Sequence, residues 1–99
     1  MKTTFTARHF DASRDLQQFS LDAVEKLEQF FDKIIVCDIV LQPGQDDDNP
    51  YRAELNVKVP KTLLNISEEA PSYEQAMNSA VETAIRRIRK YKTKHFERN

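Results

Sequence analysis

The residues with the clearest chemical capability in this sequence are a run of cations near its end: Arg86, Arg87, Arg89, Lys90, Lys92, Lys94 and Arg98. Across residues 84–99 these seven face the single acid Glu97, a balance of +6, whereas residues 1–83 hold eight bases against fifteen acids, or −7. The formal net charge of −1 therefore conceals a strongly polarised chain. Arg offers planar, bidentate contacts to phosphate and Lys a mobile point charge, and phosphates neutralised in this way release counterions, which drives binding to nucleic acid. A uniformly basic protein would coat any polyanion, but an acidic body with one basic region suits docking in a defined orientation. Shape-led RNA recognition fits this end better than base reading, because the helix offers few amide side chains or exposed aromatics there. A generic double-stranded RNA-binding module and a small protein-interaction adaptor are the alternatives that charge alone leaves open.

Other residue types offer less. His9 and His95 are the only histidines and stand at no metal-ligand spacing, so structural roles at or near the surface are expected and no metal is implied. Cys37, the only cysteine, lies inside the apolar run 34–41 and reads as a buried small hydrophobe that cannot form an internal disulfide. Asp46, Asp47 and Asp48 lack the alternate ligands, central glycine and later bidentate Glu of a calcium loop, and read as a solvated connection. Gly44 is the sole glycine, too little for a phosphate-cradling loop, and no Ser or Cys stands in a nucleophile motif. An enzyme is not expected, and no cofactor is implied.

The elements that position the cations follow from periodicity. With 99 residues the chain suits one domain, and 39% hydrophobic with 31% charged residues is an ordinary soluble balance. No apolar run approaches the roughly 20 residues of a membrane span, and residues 1–5 lead straight into a strand pattern without a secretory signal, so a cytoplasmic protein is expected. Residues 2–8 alternate, with Thr3, Phe5 and Ala7 on one side. Ser13 is placed to cap a helix whose apolar face is Leu16, Phe19, Ala23, Val24, Leu27 and Phe30, ending near Phe31 and Asp32. The β-branched run 34–41 predicts a strand covered on part of both faces, and residues 42–50 an exposed connection. Tyr51, Ala53, Leu55, Val57 and Val59 alternate with polar residues and predict a one-sided strand. A corner at Pro60 and Lys61 leads to a returning strand over residues 62–67, and Glu68, Glu69, Ala70 and Pro71 are expected to separate it from the last helix.

That helix opens on Ser72 and Gln75, a capping-box pair. Tyr73, Met77, Ala80, Val81, Ala84, Ile88 and Tyr91 form its packed stripe, and at about 100° per residue the cations spread over the opposite arc. Favourable placement near the negative end of the helix dipole accounts for one or two of them, not six. The expected class is α+β, in the order β-α-β-β-β-α, with two helices on one face of a small, mainly antiparallel four-stranded sheet.

Two stretches carry a family resemblance: Lys26-Leu27-Glu28-Gln29-Phe30-Phe31-Asp32-Lys33-Ile34 at the end of the first helix, and Ser72-Tyr73-Glu74-Gln75-Ala76-Met77 opening a helix that closes Arg86-Arg87-Ile88-Arg89-Lys90-Tyr91-Lys92-Thr93-Lys94. With the element order and length, they resemble the short ribosome hibernation promoting factors, also called ribosome-associated translation inhibitors or sigma-54 modulation proteins, over essentially the whole chain. The resemblance implies a double-stranded-RNA-binding-domain-like fold, spanning 1–99 as a single ribosome-binding domain without the C-terminal dimerisation domain of the long forms. It further implies docking on the small ribosomal subunit, against 16S-type rRNA in the mRNA and tRNA channel, with inhibition of translation during stress or stationary phase. The family's basic positions fall on Arg86, Lys90, Lys92 and Lys94, with Arg87 and Arg89 as additional cations, and on Lys26 in the first helix. Lys58 and Lys61 are weaker RNA-binding candidates, carried by charge and exposure only. Asn78 stands where many members have Asp, and Ser67-Glu68-Glu69-Ala70-Pro71 where many have a glycine-containing turn.

Overall fold

The structure, a computed structural model, describes residues 1–95. Arg98, Glu97 and the end of the predicted basic helix lie outside the described residues. The element order is β1 (Lys2–Ala7), α1 (Arg14–Glu25), α2 (Leu27–Phe30), β2 (Val36–Pro43), β3 (Tyr51–Val59), β4 (Thr62–Ala70) and α3 (Tyr73–His95). The predicted first helix is thus two bodies that meet at Lys26, a residue that keeps right-handed helical angles. The strands form one sheet in the order β1-β2-β3-β4; β1 and β2 run parallel and the other pairs antiparallel.

Alternation sorts the residues into two faces. Register aligns Phe5, Ile39, Leu55 and Ile66 across the sheet, and Cys37, Val57 and Leu64 in the neighbouring row, all on the side that the helices cover. Above them pack Leu16, Val24 and Leu27 from the first helical segments and Met77, Ala80, Ala84, Ile88 and Tyr91 from α3, the stripe that the spacing predicted. Both predicted N-caps are present: Ser13 Oγ accepts from Leu16 N at 3.0 Å and Ser72 Oγ from Gln75 N at 3.1 Å. Ser20 is fully buried, a polar residue in the core, and its hydroxyl satisfies itself by donating to the Leu16 carbonyl at 2.9 Å.

Three boundaries differ from expectation. β2 starts at Val36 rather than Ile34: Ile34 turns into the core, while Ile35 is 50% exposed and reaches the sheet only through backbone bonds to Lys58 and Lys2. At its far end Gln42 and Pro43 stay paired, opposite Arg52 and Tyr51. Likewise β4 continues through Glu68, Glu69 and Ala70, because Ala53, Arg52 and Tyr51 provide partners for them. The corner between β3 and β4 is a two-residue loop, with proline fixing φ near −65° and Lys61 in the left-handed region at φ 66°, the combination a type II turn requires.

The acidic loop 44–50 holds itself. Gly44 N donates to the Pro50 carbonyl at 2.7 Å, and the Asp46 carboxylate accepts from Asp48 N at 3.1 Å and Asn49 Nδ2 at 3.2 Å. Those bonds, the asparagine's first, lower the Asp46 pKa below the ordinary carboxylate value. A Cβ at Gly44 would come within 2.9 Å of Glu69 Oε2 and 3.0 Å of the Asn49 carbonyl, so the tight approach explains why the one glycine stands here. Cys37 is buried as expected, and burial, then the charge of Asp38, pushes its thiol up to about 12. Among the described residues no helix is long and apolar enough to cross a membrane.

Candidate nucleic-acid interface

Aromatic contacts orient α3 along the molecule. At its start Tyr73 stacks on Phe10 with ring centroids 4.5 Å apart and meets Tyr51 edge-on at 4.7 Å. Near its other end the Tyr91 hydroxyl donates to the Pro60 carbonyl at 2.6 Å, and the ring meets Phe31 edge-on at 5.6 Å. The basic half of the helix is therefore tied to the β3–β4 corner and to the segment that follows α2. Burial raises the Tyr91 pKa, so this tie stays protonated and donating.

That pole collects cations from other elements. Lys61 is in the corner itself, and the sheet register places Lys2, Val36, Lys58 and Leu63 in one row beside it on the uncovered face. Lys33 lies in the turn between α2 and β2. The weaker candidates Lys58 and Lys61 thus share the end of the molecule where α3 presents its cations. The opposite pole carries the Asp46, Asp47 and Asp48 loop, with Glu69 close to Gly44. The acidic loop and the α3 cations thus lie at opposite ends of one body whose principal extents are 45 × 25 × 19 Å. Glu28 and Asp32 are acids that share a hollow with Lys33 and Lys92 at the basic end.

Around α3 the cations separate into two flanks. Arg87, Lys90 and Lys94 line a hollow of about 280 Å³ against β4, with Thr62, Leu64, Tyr91 and His95. Arg87 there donates to the Asn65 carbonyl at 3.3 Å, which masks a carbonyl of the edge strand. The His95 ring lies 4.6 Å from that of Tyr91. On the other flank Arg89 sits over the Phe30 ring, 5.1 Å from its centroid, and Lys92 Nζ donates to the Phe30 carbonyl at 2.8 Å. Lys92 is half-buried, so it serves as a cap for the carboxyl end of α2 as well as a cation of the pole.

Arg86 projects between the flanks. Its guanidinium donates to Thr83 Oγ1 at 3.0 Å, and that hydroxyl donates to Glu68 Oε2 at 3.0 Å, while Ser79 reaches Oε1 of the same carboxylate at 3.4 Å. Glu68 was expected in a linker; as a β4 residue facing α3 it fastens the helix to the sheet and orients an arginine. Lys26 is not brought into this group. It lines a separate hollow with Phe19, Asp22, Ala23 and Asn78, beside the first half of α3. Among the described residues no group of three or more His, Cys, Asp or Glu could hold a metal ion.

Sequence reasoning missed Lys33, Phe30 as a platform for Arg89, and the Glu68 chain. Helical spacing shows which way a side chain leaves its own helix, but these partners come from other elements. The spacing of Arg89 and Lys92, one turn apart, was the available signal for a second flank.

The profile of the family described as Sigma 54 modulation protein / S30EA ribosomal protein matches residues 3–95. A sequence comparison with curated proteins finds no match. Among solved structures, a ribosomal subunit interface protein from Coxiella burnetii superposes with a TM-score of 0.83 at 18% identity, over 94% of this chain and 99% of that one. The Protein Y N-terminal domain from Thermus thermophilus superposes with a TM-score of 0.77 at 18% identity, over 92% of this chain and 99% of that one. These likenesses establish that the chain shares their fold.

Proposed function

We propose that this chain, which belongs to the Sigma 54 modulation protein / S30EA ribosomal protein family, binds the small ribosomal subunit in the channel used by mRNA and tRNA. It inhibits translation there by occupying space, and so preserves idle ribosomes in the cytoplasm during stress or stationary phase. The reading requires no catalysis and no cofactor. Its single strongest support is the gathering of cations from α3, β3 and the β3–β4 corner at one pole, opposite an acidic loop. Such a body is attracted to phosphate at one end and repelled at the other, which selects one orientation in a crowded RNA channel.

In this reading Arg86, Arg87, Arg89, Lys90 and Lys94 neutralise phosphates of 16S-type rRNA, with Lys92, Lys58 and Lys61 at the edge of the contact. Lys26, in its separate hollow, makes a second and smaller contact. Burial does not oppose these roles, since Arg86, Arg87, Arg89, Lys90 and Lys94 are all exposed.

Cosedimentation with ribosomal fractions at physiological salt tests the proposal. Migration with small subunits and whole ribosomes is expected, together with release by high salt. Equal competition by free duplex RNA would instead identify a generic duplex-binding module. Absence from every ribosomal fraction would overturn the proposal.

A further inference from the structure

The two flanks of α3 differ in chemistry. The hollow against β4 offers three close cations, suited to phosphate. The groove between α2 and the last turns of α3, about 400 Å³, is lined by Gln29, Phe30, Arg89, Lys92 and Thr93. Among the described residues its lining has two cations, an aromatic ring, an amide and a hydroxyl, while Glu28 and Asp32 line the adjoining hollow instead. Arg89 is held against the Phe30 face by cation-π attraction, and the Thr93 hydroxyl donates to the Arg89 carbonyl at 3.1 Å, steadying that turn of the helix.

A bare phosphate can accept from the amide N–H but makes no use of the ring or of the amide's carbonyl acceptor. A planar nucleobase uses both: unpaired bases stack on aromatic rings and guanidinium planes, and their edges exchange hydrogen bonds with amide side chains. Neighbouring cations then hold the attached phosphate. Gln29 is exposed and lines the same groove, so its amide has a donor and an acceptor to offer an edge.

We infer that this groove is a subsite for one unpaired nucleobase of an RNA chain, stacked on the Phe30–Arg89 pair with its edge toward Gln29. The inference rests on the rRNA-binding reading above and deepens it, by adding base contact to a surface that sequence spacing alone assigns to shape. Phe30 supplies what α3 lacks, since it reaches the basic pole from a different helix.

The test compares binding of the full chain to a short oligouridylate and to an abasic strand of equal length and charge, at one low salt concentration. The base-containing strand is expected to bind about 5- to 100-fold tighter, with upfield NMR shifts of the Phe30 ring and the Arg89 Nε–H that the abasic strand does not produce. Phe30→Leu keeps an apolar, half-buried side chain and should erase the preference while leaving affinity for the abasic strand unchanged. Arg89→Lys, at an exposed position that retains its charge, should reduce the preference without touching the fold. Equal affinity for the two strands, no measurable binding of either, or a preference that survives both substitutions would overturn the inference. Cosedimentation of the wild-type protein keeps the two readings apart: migration with ribosomes alongside equal affinity for the two strands sinks this subsite only, whereas absence from ribosomes sinks the proposed function.

Discussion

Replacing Arg87, Lys90 and Lys94 together by Ala removes the three cations that line the β4-side hollow of α3. Each cation in contact with a phosphate contributes about 0.7–0.9 to the slope of log affinity against log salt. If all three touch RNA, the slope should fall by about 2–3. The protein itself should hardly notice. All three positions are exposed and outside the buried stripe, and the hydrogen bond lost from Arg87 to the Asn65 carbonyl, at 3.3 Å, is worth at most about 1 kcal/mol. Filter binding or cosedimentation across a salt series measures the slope, and thermal melting of the same sample checks the fold. An unchanged slope with an unchanged melt would refute the assignment of this flank to phosphate. A collapsed melt would refute the separation of packing from binding on α3.

Other perturbations address the scaffold. Ile88 is fully buried on α3, so Ile88→Ala should cost about 2–5 kcal/mol in chemical denaturation; a cost near zero would remove α3 from the core. Lys92→Met keeps the aliphatic stem and deletes the bond to the Phe30 carbonyl, and should cost about 1–2 kcal/mol, reduced by the partial exposure of the lysine. Equal melting of wild type and this variant would show that Lys92 is a surface cation only. Cys37, whose thiol is raised from 9.0 to about 12, contributes stability fully present below pH 9 and lost as pH rises towards 12. The unfolded chain ionises first in that window, so stability should fall by about 1.4 kcal/mol per pH unit between pH 9 and 12, and Cys37→Ala should flatten the fall. Identical alkaline profiles for the two proteins would contradict this.

Much of the fold is legible because the residues repeat a local rule. The two-residue period of β3, the Ser13 and Ser72 caps and the α3 stripe each depend on near neighbours in sequence. The misplaced boundaries depend on distant ones. Gln42 and Pro43 look like a loop, and Glu68 and Glu69 look like a linker, until Tyr51, Arg52 and Ala53 pair with them from both sides. Ile35 has strand propensity yet lies half exposed, because the sheet's last full pairing row starts at Val36.

The site divides in the same way. Charge and helical angle find Arg86, Arg87, Arg89, Lys90, Lys92 and Lys94 without a structure. They do not distinguish Lys90 and Lys94, which face solvent, from Lys92, which also caps α2. Nor do they separate the flank that meets β4 from the flank that meets Phe30, since both neighbours are remote in sequence. Topology sets which pole receives the cations: β4 ends opposite Tyr51, beside the acidic loop, so α3 starts there and runs to the β3–β4 corner, where Tyr91 bonds Pro60.

Directed probing of ribosomal RNA tests the orientation at the centre of this account. With Cys37 replaced by Ala, an iron chelate tethered through Lys94→Cys lies at the basic pole, and one tethered through Asp47→Cys lies at the acidic pole. On small subunits saturated with protein, cleavage of rRNA lining the mRNA and tRNA channel is predicted from residue 94, and much weaker cleavage from residue 47. Stronger channel cleavage from residue 47, or no channel cleavage from residue 94, would contradict the account.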